Sequence, residues 1–225
     1  MRGPRLVILG KQGAGKGTQC MRLSRHYRVP HISSGDMFRA ELKSGSEAGQ
    51  RLNKFMKAGE LVPDDVVIEV MVHRLAADGT KEKGFILDGF PRTTAQAEAL
   101  FDLLAPLELD VAIDLQVPTE VVLRRLAARR WCQDCGANYS VESPPAMDWT
   151  CDRCGGEVVQ REDDREEAIA RRLRLYEQET EPLVAWYLRR DKLVTVDGLG
   201  PPDVVTERVV RAVGRRLGEG SDAAK

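Results

Sequence analysis

Two stretches of the chain carry residue types spaced for chemistry. In GKQGAGKGT, residues 10–18, Gly10, four residues, Gly15 and Lys16 form the frame of a phosphate-binding loop. Glycines let backbone N–H groups curl around phosphate oxygens. A following helix N-terminus adds positive potential, and the lysine reaches the terminal phosphates. The generic pattern wants Ser or Thr directly after the lysine; here Gly17 intervenes before Thr18. The second stretch is Cys132-x2-Cys135-x15-Cys151-x2-Cys154. Four thiolates at that spacing suit tetrahedral zinc, and four protein ligands leave no position for substrate, which makes such a zinc structural. Disulfides, a redox dithiol and a nucleic-acid-binding ribbon compete with it. Reducing conditions in the cytoplasm oppose the first, and the presence of two pairs opposes the second. The third meets Asp134, Glu142, Asp148 and Asp152 against one Arg153, a poor surface for phosphates.

Alternating elements must position these residues. RLVILG (5–10), GFILDG (84–89), DVAIDLQV (110–117) and KLVTV (192–196) read as buried parallel strands, with HIS (31–33) as a shorter one. Helix-period segments at 15–27, 64–78, 93–105 and 119–130 lie between them. This order predicts an α/β fold: a doubly wound, five-stranded parallel sheet with helices on both faces. Residues 34–63 read as short helices broken at Gly45 and Gly59, an α-helical insertion. The stretch 131–160 reads as a small irregular or short-stranded module. A long helix is expected from about Asp164, with Asp164 and Glu167 as an approximate capping box and Pro182 kinking or dividing it.

At 225 residues and a net charge of −1 the chain fits one core with insertions, and general attraction to nucleic acid or membrane is not expected. The N-terminus has only a short apolar run before Gly10 and Lys11, and no stretch is long enough to span a bilayer, so a cytoplasmic protein is expected.

GAGKGTQ, HISSGDMFR (31–39), LDGFPRTTAQAEAL (87–100) and REDDREEAIARRL (161–173) together resemble the nucleoside monophosphate kinases, and adenylate kinases among them, over about residues 5–215. The resemblance implies a core of 1–32, 64–127 and 164–217, an AMP-binding insertion at 33–63, a zinc-stapled lid at 128–163 and a flexible tail at 218–225. It implies ATP on Gly13, Ala14, Gly15, Lys16, Gly17, Thr18, Arg125, Arg129, Asn138, Tyr139 and Gly200. AMP would lie on Ser34, Arg39, Glu60, Leu61, Val62, Gly89, Phe90, Pro91, Arg92, Gln96, Arg161 and Arg172. Lys16, Arg92, Arg125, Arg161 and Arg172 would be catalytic, with magnesium arriving on ATP and two ADP as products. Arginine suits this work because its planar fork binds phosphate oxygens in pairs. On residues alone, Arg125 and Arg129 are equally a solvated helix face.

Several roles stay open on the sequence. Asp88 holds magnesium's water shell or caps a helix; Asp163 and Asp164 pair with arginines or cap; Tyr139 touches ATP or fills the lid's own core. Gln96, on one helix face with Arg92, is placed to read an adenine edge. His26, His31 and His73 take structural or surface roles, and Cys20 is a buried, inert thiol. Two features depart from the family: a lid spacer one residue shorter than usual, and Lys11-Gln12 in the loop, which adds a charge near the phosphates. A monomer is expected. GTP in place of ATP as donor is the nearest alternative, and a nucleic-acid-binding P-loop regulator is the alternative of another class.

Overall fold

The computed structural model describes residues 2–44, 47–58, 60–161 and 164–218. The strands are β1 (Arg5–Leu9), β2 (His31–Ser33), β3 (Phe85–Asp88), β4 (Val111–Gln116), β5 (Arg129–Cys132), β6 (Asn138–Ser140), β7 (Val158–Val159) and β8 (Leu193–Asp197). The helices are α1 (Lys16–Tyr27), α2 (Ser34–Ser44), α3 (Glu47–Ala58), α4 (Asp64–Ala76), α5 (Thr80–Lys83), α6 (Thr94–Leu104), α7 (Thr119–Ala128), α8 (Glu166–Leu175), α9 (Pro182–Arg189) and α10 (Pro202–Leu217).

Five strands form one parallel sheet in the order β2-β3-β1-β4-β8. Its central strands are buried at every position except the last residues of β3 and β4, which is why they read as continuous apolar runs rather than alternating ones. Two cores flank it, as a doubly wound sheet requires. One packs Val7, Leu87 and Ala112 against Met71, Leu100 and Tyr187 of α4, α6 and α9. The other packs Leu6, Ile86 and Ile113 against Leu23 and Val209 of α1 and α10.

The helices that follow the adjacent strands β1 and β3, α1 and α6, lie on opposite faces, so the switch point falls between these strands, the place where open α/β sheets bind ligands. Two excursions leave the sheet. Helices α2 and α3 form the first; the breaks expected at Gly45 and Gly59 lie outside the described residues. The second is a three-stranded antiparallel sheet, order β6-β5-β7, carrying the cysteines.

Two local expectations are corrected, and a third holds. Helix α7 stops at Ala128, so Arg129 opens β5 with extended backbone (φ −64°, ψ 137°) instead of sharing a helix face with Arg125. Helix α8 starts at Glu166 with Arg165 before it and no side-chain cap. The capping box fails because the Asp164 carboxylate is taken by Arg129. The division expected at Pro182 is present: a π-helical turn over Tyr176–Thr180 separates α8 from α9, and Pro182 sits in the first turn of α9, where its missing N–H is tolerated.

Candidate functional site

A cleft of about 700 Å³ opens between the end of the parallel sheet, the α2–α3 insertion and the small sheet. The loop after β1 forms its floor. Gly10 and Gly13 have φ of 140° and 82°, and a Cβ on Gly13 would stand 2.9 Å from Leu126 Cγ and 3.0 Å from the Val122 carbonyl. Only glycine lets the backbone press so closely on α7. Gly13, Gly15, Lys16, Gly17 and Thr18 line the cleft; Ala14 is buried behind them. Lys16 Nζ donates to the carbonyls of Gly10 (2.8 Å) and Lys11 (3.0 Å), which holds the loop closed around its ammonium. Burial lowers the pKa of this lysine, Asp88 opposes that shift, and Arg92 adds to it. The charge expected from Lys11 is directed elsewhere: its Nζ donates to Thr119 Oγ1 (2.8 Å) and lies 3.9 Å from Glu177, away from the cleft lining.

On the insertion side, Ser34, Arg39, Glu60, Leu61 and Val62 line the cleft. Ser34 Oγ donates to the Gly89 carbonyl (2.8 Å), tying α2 to the end of β3. From β3 the chain presents Asp88, Gly89, Pro91 and Arg92 to the cleft, while Phe90 is buried in the core. Arg92 is braced at several points. Its Nε donates to the Gly89 carbonyl (2.7 Å), its backbone N–H to Gln96 Oε1 (2.8 Å), and its carbonyl accepts from Thr180 (2.9 Å). Gln96 Nε2 donates to Asp64 (2.6 Å), so both ends of this amide have partners inside the protein and it meets the cleft already oriented. Asp64 also accepts from Thr93, the N-cap of α6 (2.8 Å).

Burial alone would push the Asp88 carboxyl up. The facing His31 imidazole and the charges of Lys16 and Arg92 outweigh it and hold the carboxyl below its usual range. His31 is therefore not a remote surface histidine: it lines the cleft with its Nε2 3.7 Å from Asp88.

The remaining cations come from α7, the small sheet and α8. Arg125 donates to the carbonyls of Ala14 (3.1 Å) and, at 3.5 Å, Gly198. Arg129 grips Asp164, which is buried, through two of its nitrogens, and Gln12 Nε2 reaches the same carboxylate at 3.3 Å. Asp164 thus resolves as an arginine partner; Asp163 lies outside the described residues. Arg161 donates to Asn138 Oδ1 (3.2 Å), and Arg172 lines the cleft with it. Gly200, in the turn before α10, is not among the lining residues.

Trp131, which no motif marks, also lines the cleft. The Arg161 guanidinium stands 4.9 Å from its ring centroid and the Arg39 guanidinium 5.8 Å. Lys43 Nζ donates to the Gln133 carbonyl, so α2 meets the small sheet at two places. Arg171 of α8 pairs with Glu60 at 3.1 Å. An aromatic among the arginines before Cys132 was the only signal in the sequence.

Within the small sheet the Sγ atoms of Cys132, Cys135, Cys151 and Cys154 lie within 4.8 Å of one another, with Cys132–Cys154 and Cys135–Cys151 at 3.5 Å. Zinc–sulfur bonds of about 2.3 Å give sulfur–sulfur edges of about 3.8 Å, so the group fits one tetrahedral metal ion. Ala137, Val158, Tyr139 and Trp149 complete a minimal core around it. Tyr139 packs in the small sheet's own core, its hydroxyl contacting Cys151 Sγ (3.4 Å) and accepting from Asp152 N (2.9 Å), and it also lines the cleft.

The profile of the adenylate kinase family matches residues 8–192. The chain belongs to the adenylate kinase family. Membership makes it a nucleoside monophosphate kinase, a phosphotransferase. Among its relatives, the adenylate kinase of Archaeoglobus fulgidus is 50% identical over 196 residues, covering 86% of this chain and 90% of that one. That of Caldicellulosiruptor saccharolyticus is 46% identical over 213 residues, 93% and 99% of the two chains. That of Acetivibrio thermocellus is 44% identical over 212 residues, 93% and 97%.

Proposed function

We propose that this kinase moves the γ-phosphoryl group of ATP directly onto AMP, reversibly, giving two ADP. The observation that carries the reading is the convergence of Lys16, Arg39, Arg92, Arg125, Arg161 and Arg172 on one cleft whose two sides are a phosphate-binding loop and a helical insertion. Phosphoryl transfer asks for alignment of donor and acceptor, neutralised oxygen charge and excluded water.

ATP binds along Gly13 to Thr18, Arg125, Arg129, Asn138 and Tyr139. AMP binds against Ser34, Arg39, Glu60, Leu61, Val62 and Gln96, with Arg92 on its phosphate. An AMP phosphate oxygen attacks the γ-phosphorus in line, and the bond to the β,γ-bridging oxygen breaks. Lys16 and the arginines stabilise the charge spread over the transferred group. Magnesium on ATP supplies further charge neutralisation, and the ionised, cleft-facing Asp88 fits as the holder of its water shell. Zinc on the four cysteines supplies a cross-link to a module too small for a core of its own. The small sheet closes over ATP and excludes water that would compete with AMP. We take the kinase to act as a monomer in the cytoplasm, in keeping with the reduced thiols that such a zinc site needs.

A coupled assay for ADP across a nucleotide panel tests this. Turnover with AMP should exceed that with UMP or CMP, and ATP should outcompete GTP. Lys16→Met should lower kcat by about 10²–10³, the usual loss for one charge-stabilising donor. A preference for a pyrimidine acceptor or for GTP overturns the substrate assignment.

A further inference from the structure

Cys20, His31 and Asp88 meet from three elements, α1, β2 and the end of β3, with His31 and Asp88 lining the cleft and Cys20 behind them. One ligand atom from each lies within 4.8 Å of the others. His31 Nε2 is buried and makes no hydrogen bond, yet it faces Asp88 Oδ2 at 3.7 Å. That gap is long for a hydrogen bond. It lies just outside the tetrahedral edge of about 3.3–3.6 Å that nitrogen and oxygen ligands at about 2.0–2.2 Å produce, so a small side-chain shift brings the pair to ligating distance. Thiol, imidazole and carboxylate together form a donor set for a borderline-soft divalent cation such as zinc, and a poor one for magnesium, which takes oxygen.

We propose that Cys20, His31 and Asp88 form a second, inhibitory site for zinc-like divalent cations, separate from the four-cysteine group. Binding exchanges the Cys20 thiol proton for the cation and releases that proton to solvent. The fourth position opens toward the cleft, because His31 and Asp88 line it while Cys20 is sealed behind them. A cation there takes up the Asp88 carboxylate and adds positive charge beside Lys16, which the carboxylate otherwise balances. It therefore obstructs the place where the magnesium-bearing end of ATP must lie. Free zinc would then slow the same protein whose lid zinc holds in shape.

The test compares the wild type with Cys20→Ala and His31→Gln, titrated with zinc in the absence of nucleotide by equilibrium dialysis. The readout is the difference in stoichiometry, so it depends neither on what the lid holds nor on which nucleotides react. The wild type should bind one equivalent more than either variant, or bind that equivalent at least about tenfold more tightly. Cys20 touches no substrate in the proposed reaction, so Cys20→Ala should keep its basal turnover while losing inhibition by zinc at saturating magnesium. His31→Gln gives an independent answer if the alanine variant folds poorly. Equal zinc binding in all three proteins, or inhibition that persists unchanged in both variants, overturns the proposal.

Discussion

Asp114 lies in the middle of β4, 4% exposed, with its Oδ2 accepting from Gln116 at 2.9 Å. Burial raises its pKa; Gln116 opposes the shift and Glu181 adds to it. A carboxyl whose folded pKa is raised binds its proton more tightly in the fold, so its charge costs stability once ionised. That cost is absent below the unfolded value of about 3.9 and grows as pH rises through the folded value. Asp114→Asn should therefore melt higher than the wild type at pH 7 and level with it near pH 3, as thermal unfolding across pH would show. A wild-type advantage at neutral pH would mean that the charge has a partner in the working enzyme. Lys16 and Arg92 were legible in the sequence because a contiguous motif carries them. Asp64 was not, since its partners Thr93 and Gln96 lie far along the chain, and neither was Asp114, whose burial comes from the flanking strands β1 and β8 although its hydrogen-bond partner Gln116 is local.

Helices and strands were legible where the chain repeats a period, and their ends were less so. All five strands of the main sheet fall on the predicted runs, because strands buried on both faces are apolar at most positions, with Arg5 and Asp114 as the buried exceptions. The end of α7 and the start of α8 were missed for a shared reason: Arg129 and Asp164 satisfy each other across 35 positions instead of serving local caps. Strand β5 shows what such an element can do. It carries Trp131 between the guanidinium groups of Arg39 and Arg161, linking the insertion to the lid. Contacts of this kind contribute about 0.5–1 kcal/mol each at exposed sites, so losing both should shift the open–closed balance toward open by about five- to thirty-fold. Trp131→Leu should accordingly raise KM for AMP and lengthen the lid–insertion distance measured by energy transfer between labels. Unchanged values of both would make Trp131 a filler of the lid surface.

At the scale of the whole molecule, the described residues form two large cores and two very small ones, one of Leu126, Ile169 and Leu173 between α7 and α8 and one around the cysteines. The small sheet's buried cluster is Cys132, Ala137, Cys151 and Val158, too few to order some thirty residues without a cross-link. Stripping metal with a strong chelator should lower the melting midpoint by at least about 5 °C while leaving measurable ADP formation, because Lys16 and Arg92 stand on the main sheet's elements. Complete loss of activity with an unchanged midpoint would assign the metal to the chemistry instead.

The division between sequence and tertiary structure follows from distance along the chain. The phosphate-binding loop, the buried strands and the paired cysteines each specify themselves within a short window, through backbone freedom, apolar burial and ligand spacing. They sufficed for the fold class, the family and the gathering of the four cysteines. Which arginine meets which carboxylate, the turning of Lys11 away from the phosphates, the facing of His31 and Asp88, and the seat of Trp131 were decided only when distant segments packed. Electrostatic partners act through space at a few ångströms, and no local pattern in the chain records which groups the fold will bring that close.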